Sequence, residues 1–193
     1  MKVFKNGLLL LVTALLSASC IGDQNTVIGQ EFEDSDFVNE NFKGNKKNFS
    51  DLPKDLCEFL DEASILKGYN NATSVLFNGK NSFVNKNCQF SVIFFNDQSQ
   101  YIIGTLFINE DTYAEDWKDH WEMKKKRFRS AEYIKNLGMA AIWNDKQRTL
   151  DIKMKGYTVV ITVPSKMIAK NKIDTNANVK DIAIAIANST NLF

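Results

Sequence analysis

The segment CQFSVIFFNDQSQYIIGTLFI, residues 88–108, decides the fold of this chain. Its two ends, 88–95 and 101–108, are dominated by β-branched and aromatic residues, which pack well on the pleated surface of a sheet. The stretch 96–100 between them is polar, and a break of this length is typical of a hairpin with a longer loop. The segment therefore predicts two neighbouring antiparallel strands.

The residues before this hairpin predict helices. Ser50 or Asp51 is a suitable N-cap for a turn that contains Pro53, whose missing N–H is harmless in the first turn of a helix. Asp61 is a second candidate N-cap, and Gly68 suits the end of the helix that follows it. We therefore expect two short helices, or one helix broken at Asp61, that end at Gly68.

The residues after the hairpin predict a helix over 112–128, because apolar side chains recur along one face with the helical period. Lys124 lies within this apolar stripe, so we expect its aliphatic part to pack while its amine reaches water. The stripe consists of Tyr113, Ala114, Trp117, Trp121 and Phe128.

Four further segments predict strands, at 72–77, 139–143, 149–154 and 157–163. In segment 149–154 apolar and polar residues alternate, which predicts one face toward the core and one toward water. Segment 157–163 is apolar almost throughout, and this favours a central position in the sheet.

A loop rich in lysine and asparagine is expected over 165–177, before a last helix that begins at the N-cap Asn178. The apolar face of this helix consists of Val179, Ile182, Ala183, Ile186 and Thr190. The order of elements predicts an α+β fold, in which an antiparallel sheet of about six strands is covered by helices within one domain over 50–193.

Residues 1–20, MKVFKNGLLLLVTALLSASC, have the layout of a secretory signal peptide. The apolar run is too short to span a bilayer, and small residues follow it. Cys20 after these small residues resembles the lipobox of bacterial lipoproteins, whose signal is cleaved before a cysteine that then carries acyl chains such as palmitate. Ser17 stands where that motif usually has an aliphatic residue, so cleavage by an ordinary signal peptidase is the alternative. Both alternatives assign 1–19 to the signal peptide, and the length of the apolar run disfavours a third alternative, an uncleaved N-terminal anchor.

Residues 20–49 predict a lipidated start followed by a flexible acidic tether, because they have no helical or strand period and many like charges. Phenylalanines recur along this segment, so part of it is suited to the surface of the domain. Ile21, rather than aspartate, follows Cys20, which favours the outer membrane or the cell surface over the inner membrane. We expect the membrane to be bound through acyl chains on Cys20.

The cysteine count favours a disulfide. Once Cys20 is assigned to lipid, Cys57 and Cys88 form an even pair in an oxidising compartment. Two separate buried thiols are the alternative. A metal site is not expected, because two isolated cysteines and the distant His120 lack ligand spacing. No cofactor is expected.

The charge balance argues against nucleic-acid binding. The chain has 24 basic and 23 acidic residues, and removal of residues 1–19 takes away Lys2 and Lys5. The mature chain is therefore nearly neutral and has no basic domain face of the kind that nucleic-acid binders show.

Three segments resemble DUF3558-type bacterial lipoprotein domains. They are LCEFLDEASILKG at 56–68, NCQF at 87–90 and GMAAIW at 138–143. The resemblance implies export, lipidation, a disulfide and a fold similar to the Mog1/PsbP-like α/β/α sandwich. It implies no catalytic residues, because that family has no agreed activity.

The residues with candidate chemistry lie on the helix over 112–128. His120 with Trp117 and Trp121 is a candidate ligand-binding set, although no H-E-x-x-H or serine-hydrolase motif accompanies it. The basic residues 124–129 are candidates for contact with lipid headgroups. We expect a non-enzymatic module that binds an envelope protein or a small molecule. The alternative is an envelope hydrolase or carbohydrate-binding enzyme that uses His120 and the tryptophans.

Overall fold

The computed structural model describes residues 37–79, 86–111, 116–128, 130–164 and 178–193. These residues form a seven-stranded sheet with three α-helices and two 3₁₀ turns, Phe49–Asp51 and Cys57–Phe59. The helices are α1 (Glu62–Leu66), α2 (Trp117–Arg127) and α3 (Val179–Ser189). The strands are β1 (Ala72–Asn78), β2 (Lys86–Phe94), β3 (Asp97–Glu110), β4 (Ala131–Ile134), β5 (Ala140–Asn144), β6 (Thr149–Met154) and β7 (Tyr157–Thr162).

The sheet has the order β1-β2-β3-β7-β6-β5-β4, and every neighbouring pair is antiparallel. The α+β class is confirmed, and β7 lies in the middle of the sheet as its apolar sequence predicted. The sheet has seven strands rather than about six, because residues 131–134 pair with β5 as an additional edge strand. Segment 131–134 contains both a charge and a tyrosine, which gave no clear strand pattern.

Helices cover both faces of this sheet. On one face, α1 and α3 pack over the main core, to which β2, β3, β6 and β7 all contribute. On the other face, α2 contributes Trp121 to a second cluster with Ala131, Ala140 and Ile142. Because side chains alternate along a strand, β5 and β6 are buried on both faces, whereas β7 is buried on one face and half-buried on the other.

The prediction that β6 has one face in water is therefore wrong. Asp151 and Lys153, the polar members of its alternation, are each only 3% exposed. The reason lies in the tertiary structure, because the polar face of β6 lies on the side of the sheet that α2 covers.

The hairpin of β2 and β3 has a tighter turn than predicted. Phe95 and Asn96 form a two-residue connection in which both have positive φ, 55° and 56°. The register shifts after this turn, because Phe94 pairs with Asp97 whereas Ile93 pairs with Tyr101. Residues 98–100 therefore form an irregularity within β3. The residues predicted as a longer loop thus belong mostly to the strand.

The helix predicted from Ser50 or Asp51 is replaced by the two 3₁₀ turns. Asp55 explains the departure, because its carboxylate accepts a hydrogen bond from the Cys57 N–H at 2.8 Å and it bridges to Asn87 at the start of β2. Asp61 is an N-cap as predicted, and its carboxylate accepts from the Ser64 N–H at 2.9 Å.

Residues 37–49, which the sequence assigned to the tether, pack against the domain. Phe37 is buried, and the Asn39 amide donates to the Gly138 carbonyl oxygen at 2.8 Å. Further along, the Asn45 amide donates to the carbonyl oxygen of Lys155 at 2.7 Å. The packed domain therefore begins before the predicted boundary at residue 50.

The last helix agrees with its prediction. The Asn178 side chain accepts a hydrogen bond from the Lys180 N–H at 3.0 Å, and Ile182, Ala183 and Ile186 are buried. The signal peptide, Cys20, residues 112–115 of the predicted helix and the loop 165–177 lie outside the described residues. Within the described ranges, no helix is both long and apolar enough to cross a membrane.

Candidate functional site: the α2 groove

Helix α2 carries the candidate site, and its inner side is held to the sheet by aromatic packing. Trp121 is buried, and its ring meets that of Trp117 edge to face at a centroid distance of 6.3 Å. Phe37 approaches Trp117 edge to face at 6.0 Å and stacks on Tyr133 at 4.6 Å. The period of the helix places these tryptophans toward the sheet and leaves the opposite side for solvent.

Two ion pairs lie beneath α2. The Lys153 amine pairs with the Asp111 carboxylate, whose other oxygen accepts from the Thr158 hydroxyl at 3.0 Å. The Lys124 amine reaches down from α2 to Asp151 on β6. The helix is therefore fixed to the sheet by charge as well as by apolar contact.

Aromatic rings border these ion pairs. The Lys153 amine lies 5.6 Å from the ring centroid of Trp117, and the Lys124 amine lies 5.8 Å from that of Trp121. Burial raises the pKa of the Asp151 carboxyl above its ordinary value, although the neighbouring Lys124 opposes this rise. Desolvation of the carboxylate is thus only partly compensated by its partner.

The outer side of α2 borders an open groove of about 580 Å³. The described residues that line it are His120, Met123, Lys124, Lys126, Arg127 and Phe128. We call this surface the α2 groove. Its lining combines basic groups with the apolar side chains of a methionine and a phenylalanine.

Part of the positive charge in the α2 groove is paired. Lys126 lies 3.5 Å from the Glu122 carboxylate one turn away, and Lys124 is held by the buried Asp151. The Arg127 guanidinium lies 5.7 Å from the ring centroid of Phe128. Met123 is 57% exposed, which is high for a large apolar side chain. The groove is therefore suited to an anionic partner with some apolar character.

The structure separates the predicted ligand-binding set. Trp117 and Trp121 pack toward the sheet, whereas His120 is exposed and lines the α2 groove. No carboxylate is among the described residues that line this groove. Among the described residues, His120 and the two tryptophans therefore do not line one common surface.

Cys57 and Cys88 form a disulfide, as predicted. The bond joins the second 3₁₀ turn to β2, and the Cα atoms are 4.9 Å apart. Asp55 lies close to both sulfur atoms, and these three residues are the group in the described chain with metal-ligand spacing. Because the sulfurs are bonded to each other, they are not available as the thiolates that a metal would require.

A second exposed surface lies on the sheet beyond the part covered by α2. Leu76 and Ile103 are 53% and 39% exposed, and both are paired in register with Ser91 of β2. The two apolar side chains therefore flank Ser91 on one face, roughly 10 Å apart. We call this feature the β1–β3 row. It presents two exposed apolar side chains on the surface of the sheet.

The sequence prediction missed the buried charges and the role of Phe37. One signal was present, because Lys124 interrupts an apolar stripe, and such a lysine needs either water or a buried acid. The alternation in β6 predicts a solvent face for its partner Asp151, so the sequence does not predict the pair.

No protein family, curated protein or solved structure matches this chain.

Proposed function

We propose that this protein is an exported bacterial envelope lipoprotein whose domain binds a partner without catalysing a reaction. The Cys57–Cys88 disulfide is the observation that carries the proposal. Structural disulfides persist in oxidising compartments and are rare in the cytosol. A leader with the layout of a secretory signal would deliver the chain to such a compartment.

The disulfide also supports a lipid role for the third cysteine. With Cys57 and Cys88 bonded to each other, Cys20 has no intramolecular cysteine partner. An unpaired thiol in an exported protein is exposed to unwanted oxidation, whereas acylation removes it. We therefore favour acylation of Cys20 over a simple signal-peptidase cut, with anchoring in the outer membrane or at the cell surface.

Two surfaces support binding rather than catalysis. The α2 groove presents basic and apolar side chains, and the β1–β3 row presents Leu76 and Ile103 on the surface of the sheet. Apolar side chains exposed on a sheet suit a protein partner better than a small molecule, which usually occupies a concave site. A partner protein of the envelope is therefore the binding role that we favour.

For the fold, we propose the Mog1/PsbP-like sandwich of DUF3558-type lipoproteins. Helices on both sides of an antiparallel sheet form the three layers that this fold has. The disulfide also uses the two cysteines in the segments that resemble that family.

Cell fractionation tests the anchoring. The full chain and its Cys20→Ser variant would be expressed in a bacterium with lipoprotein-processing enzymes, and membranes would be washed with high salt. We expect the wild-type protein to stay with the washed membranes and the variant to become soluble or to be retained unprocessed. Cys57→Ser/Cys88→Ser is the matched control, which removes cysteines but should remain membrane-bound. Equal membrane retention of wild type and Cys20→Ser, each processed at the same site, would refute the anchoring.

A further inference from the structure

Phe37, seventeen positions after Cys20, packs beside α2. Phe37, the first residue that the structure describes, stacks on Tyr133 and contacts Trp117 of α2. Tyr133 in turn has the Lys125 amine 6.0 Å from its ring centroid. Phe37, which is connected in sequence to the segment that contains Cys20, is therefore packed next to the basic helix.

The length of that segment limits how far this side can be from the membrane. Seventeen residue steps separate Cys20 from Phe37, and at full extension they span at most about 60 Å. Any shorter path brings the α2 side closer to the bilayer. This reach keeps Phe37, and with it the side of the domain that carries α2, within about 60 Å of the membrane that holds Cys20.

The side of the domain so placed is basic. The last turn of α2 carries Lys124, Lys125, Lys126 and Arg127. Lys126 and Arg127 are exposed and line the α2 groove beside the exposed Met123. The mature chain as a whole is nearly neutral, so this concentration of positive charge is local. Basic side chains near an anionic bilayer are attracted by its surface potential within about a Debye length.

We propose that the α2 groove rests on anionic phospholipids of the membrane that carries the acyl chains of Cys20. This inference depends on the proposed anchoring, since only a tethered domain is held near a bilayer. Lys126 and Arg127 would contact phosphate groups, and Met123 would enter the interfacial region. The β1–β3 row would then remain available to a protein partner.

The test measures vesicle binding without the acyl chains, so it is separate from the test of anchoring. The mature chain from residue 20, with Cys20→Ser, would be co-sedimented with vesicles of phosphatidylglycerol and phosphatidylethanolamine, or of phosphatidylcholine alone. We expect binding only to the anionic vesicles, and weaker binding as salt is added. Lys126→Gln/Arg127→Gln should lower the partition coefficient roughly thirtyfold, about fivefold for each charge removed.

Two control variants make the outcome specific. Lys43→Gln/Lys67→Gln removes the same charge from exposed positions whose neighbours Phe42 and Leu66 pack on the opposite face of the sheet, and it should bind like the parent. Lys126→Arg/Arg127→Lys keeps the charge and should also bind like the parent. Thermal unfolding of each variant would verify folding.

Three results would overturn the inference. They are equal binding to anionic and neutral vesicles, equal losses in the α2 and control variants, and binding to polyglutamate with none to anionic vesicles. The last result would identify an acidic polypeptide as the partner of the α2 groove. None of these results bears on acylation of Cys20, which fractionation tests independently.

Discussion

At the scale of single residues, the buried charges between α2 and β6 are the least expected feature. Lys153 is 3% exposed in its side chain, and its partner Asp111 is 19% exposed. A buried ion pair adds little stability compared with apolar residues of similar volume, but removal of one member leaves an uncompensated charge. These residues should therefore be sensitive to single substitutions and tolerant of paired ones.

Lys153→Met should lower the free energy of unfolding by about 3 kcal/mol, because it leaves the Asp111 carboxylate without its partner in a largely buried site. Asp111→Asn/Lys153→Met should recover most of the loss, since the neutral amide can still accept from Thr158. Urea denaturation would measure both variants. Lys155→Met, an exposed position in the β6–β7 turn, is the control and should change stability by less than about 0.5 kcal/mol. Equal losses in the single and double variants would contradict this account.

Asp151 should make stability depend on pH. Burial raises its pKa in the folded protein above the ordinary value of 3.8 that applies when the chain is unfolded. Between these two pKa values the folded state binds more protons, so the contribution of this group to stability falls as the pH rises. Asp151→Asn removes the effect. The variant should therefore gain stability relative to the wild type as pH increases through this window.

Urea denaturation of the wild type and Asp151→Asn at several pH values from about 3 to 7 would measure the difference. The comparison cancels the pH-dependent contributions of other acids, which are the same in both proteins. Asp61 is one example: hydrogen bonds to Ser64 lower its pKa, so its contribution to stability rises with pH. A difference that stays constant, or that shrinks as the pH rises, would show that burial does not dominate at Asp151.

At the scale of elements, local chemistry determined which predictions succeeded. The N-caps Asp61 and Asn178 accept their hydrogen bonds as expected, because capping depends only on neighbouring residues. The strands of the first hairpin were also recognisable from composition. The disulfide could be predicted from the number of cysteines. The conformation of the segment around Asp55 could not be predicted from the sequence, since its bridge to Asn87 depends on a strand more than thirty positions away.

Other departures also arose from distant contacts. The polar alternation of β6 predicted water on one face, but α2 covers that face. The turn at Phe95 and Asn96 lacks the glycine that normally indicates positive φ, so the tight connection was hidden. Of the candidate site, the basic run on α2 could be predicted from sequence, whereas its separation from the tryptophans and its proximity to Phe37 required the fold.

The disulfide should stabilise the element pair that it joins. It closes a loop with a sequence separation of 31 residues, which corresponds to roughly 3–4 kcal/mol in the chain-entropy model. Cys57→Ser/Cys88→Ser should therefore lower the free energy of unfolding by about this amount in chemical denaturation. Cys20→Ser, the matched control, should unfold like the wild type. A double variant as stable as the wild type would show that the bond contributes little to the fold.

At the scale of the whole molecule, the structure suggests a division of surfaces. Phe37 packs beside the basic helix, and the β1–β3 row lies on a separate part of the sheet. If the α2 groove contacts lipid, as proposed above, the row is left for a protein. Both roles depend on one central claim, that the mature chain is exported and acylated at Cys20.

Intact mass spectrometry of the protein extracted from membranes tests that claim most directly. We predict a chain that begins at Cys20, carries the added mass of acyl chains, and loses two hydrogens to the Cys57–Cys88 bond. Reduction should restore the two hydrogens and leave the acyl mass in place. A chain that begins at Cys20 with no added mass, or one that retains residues 1–19, would contradict the account.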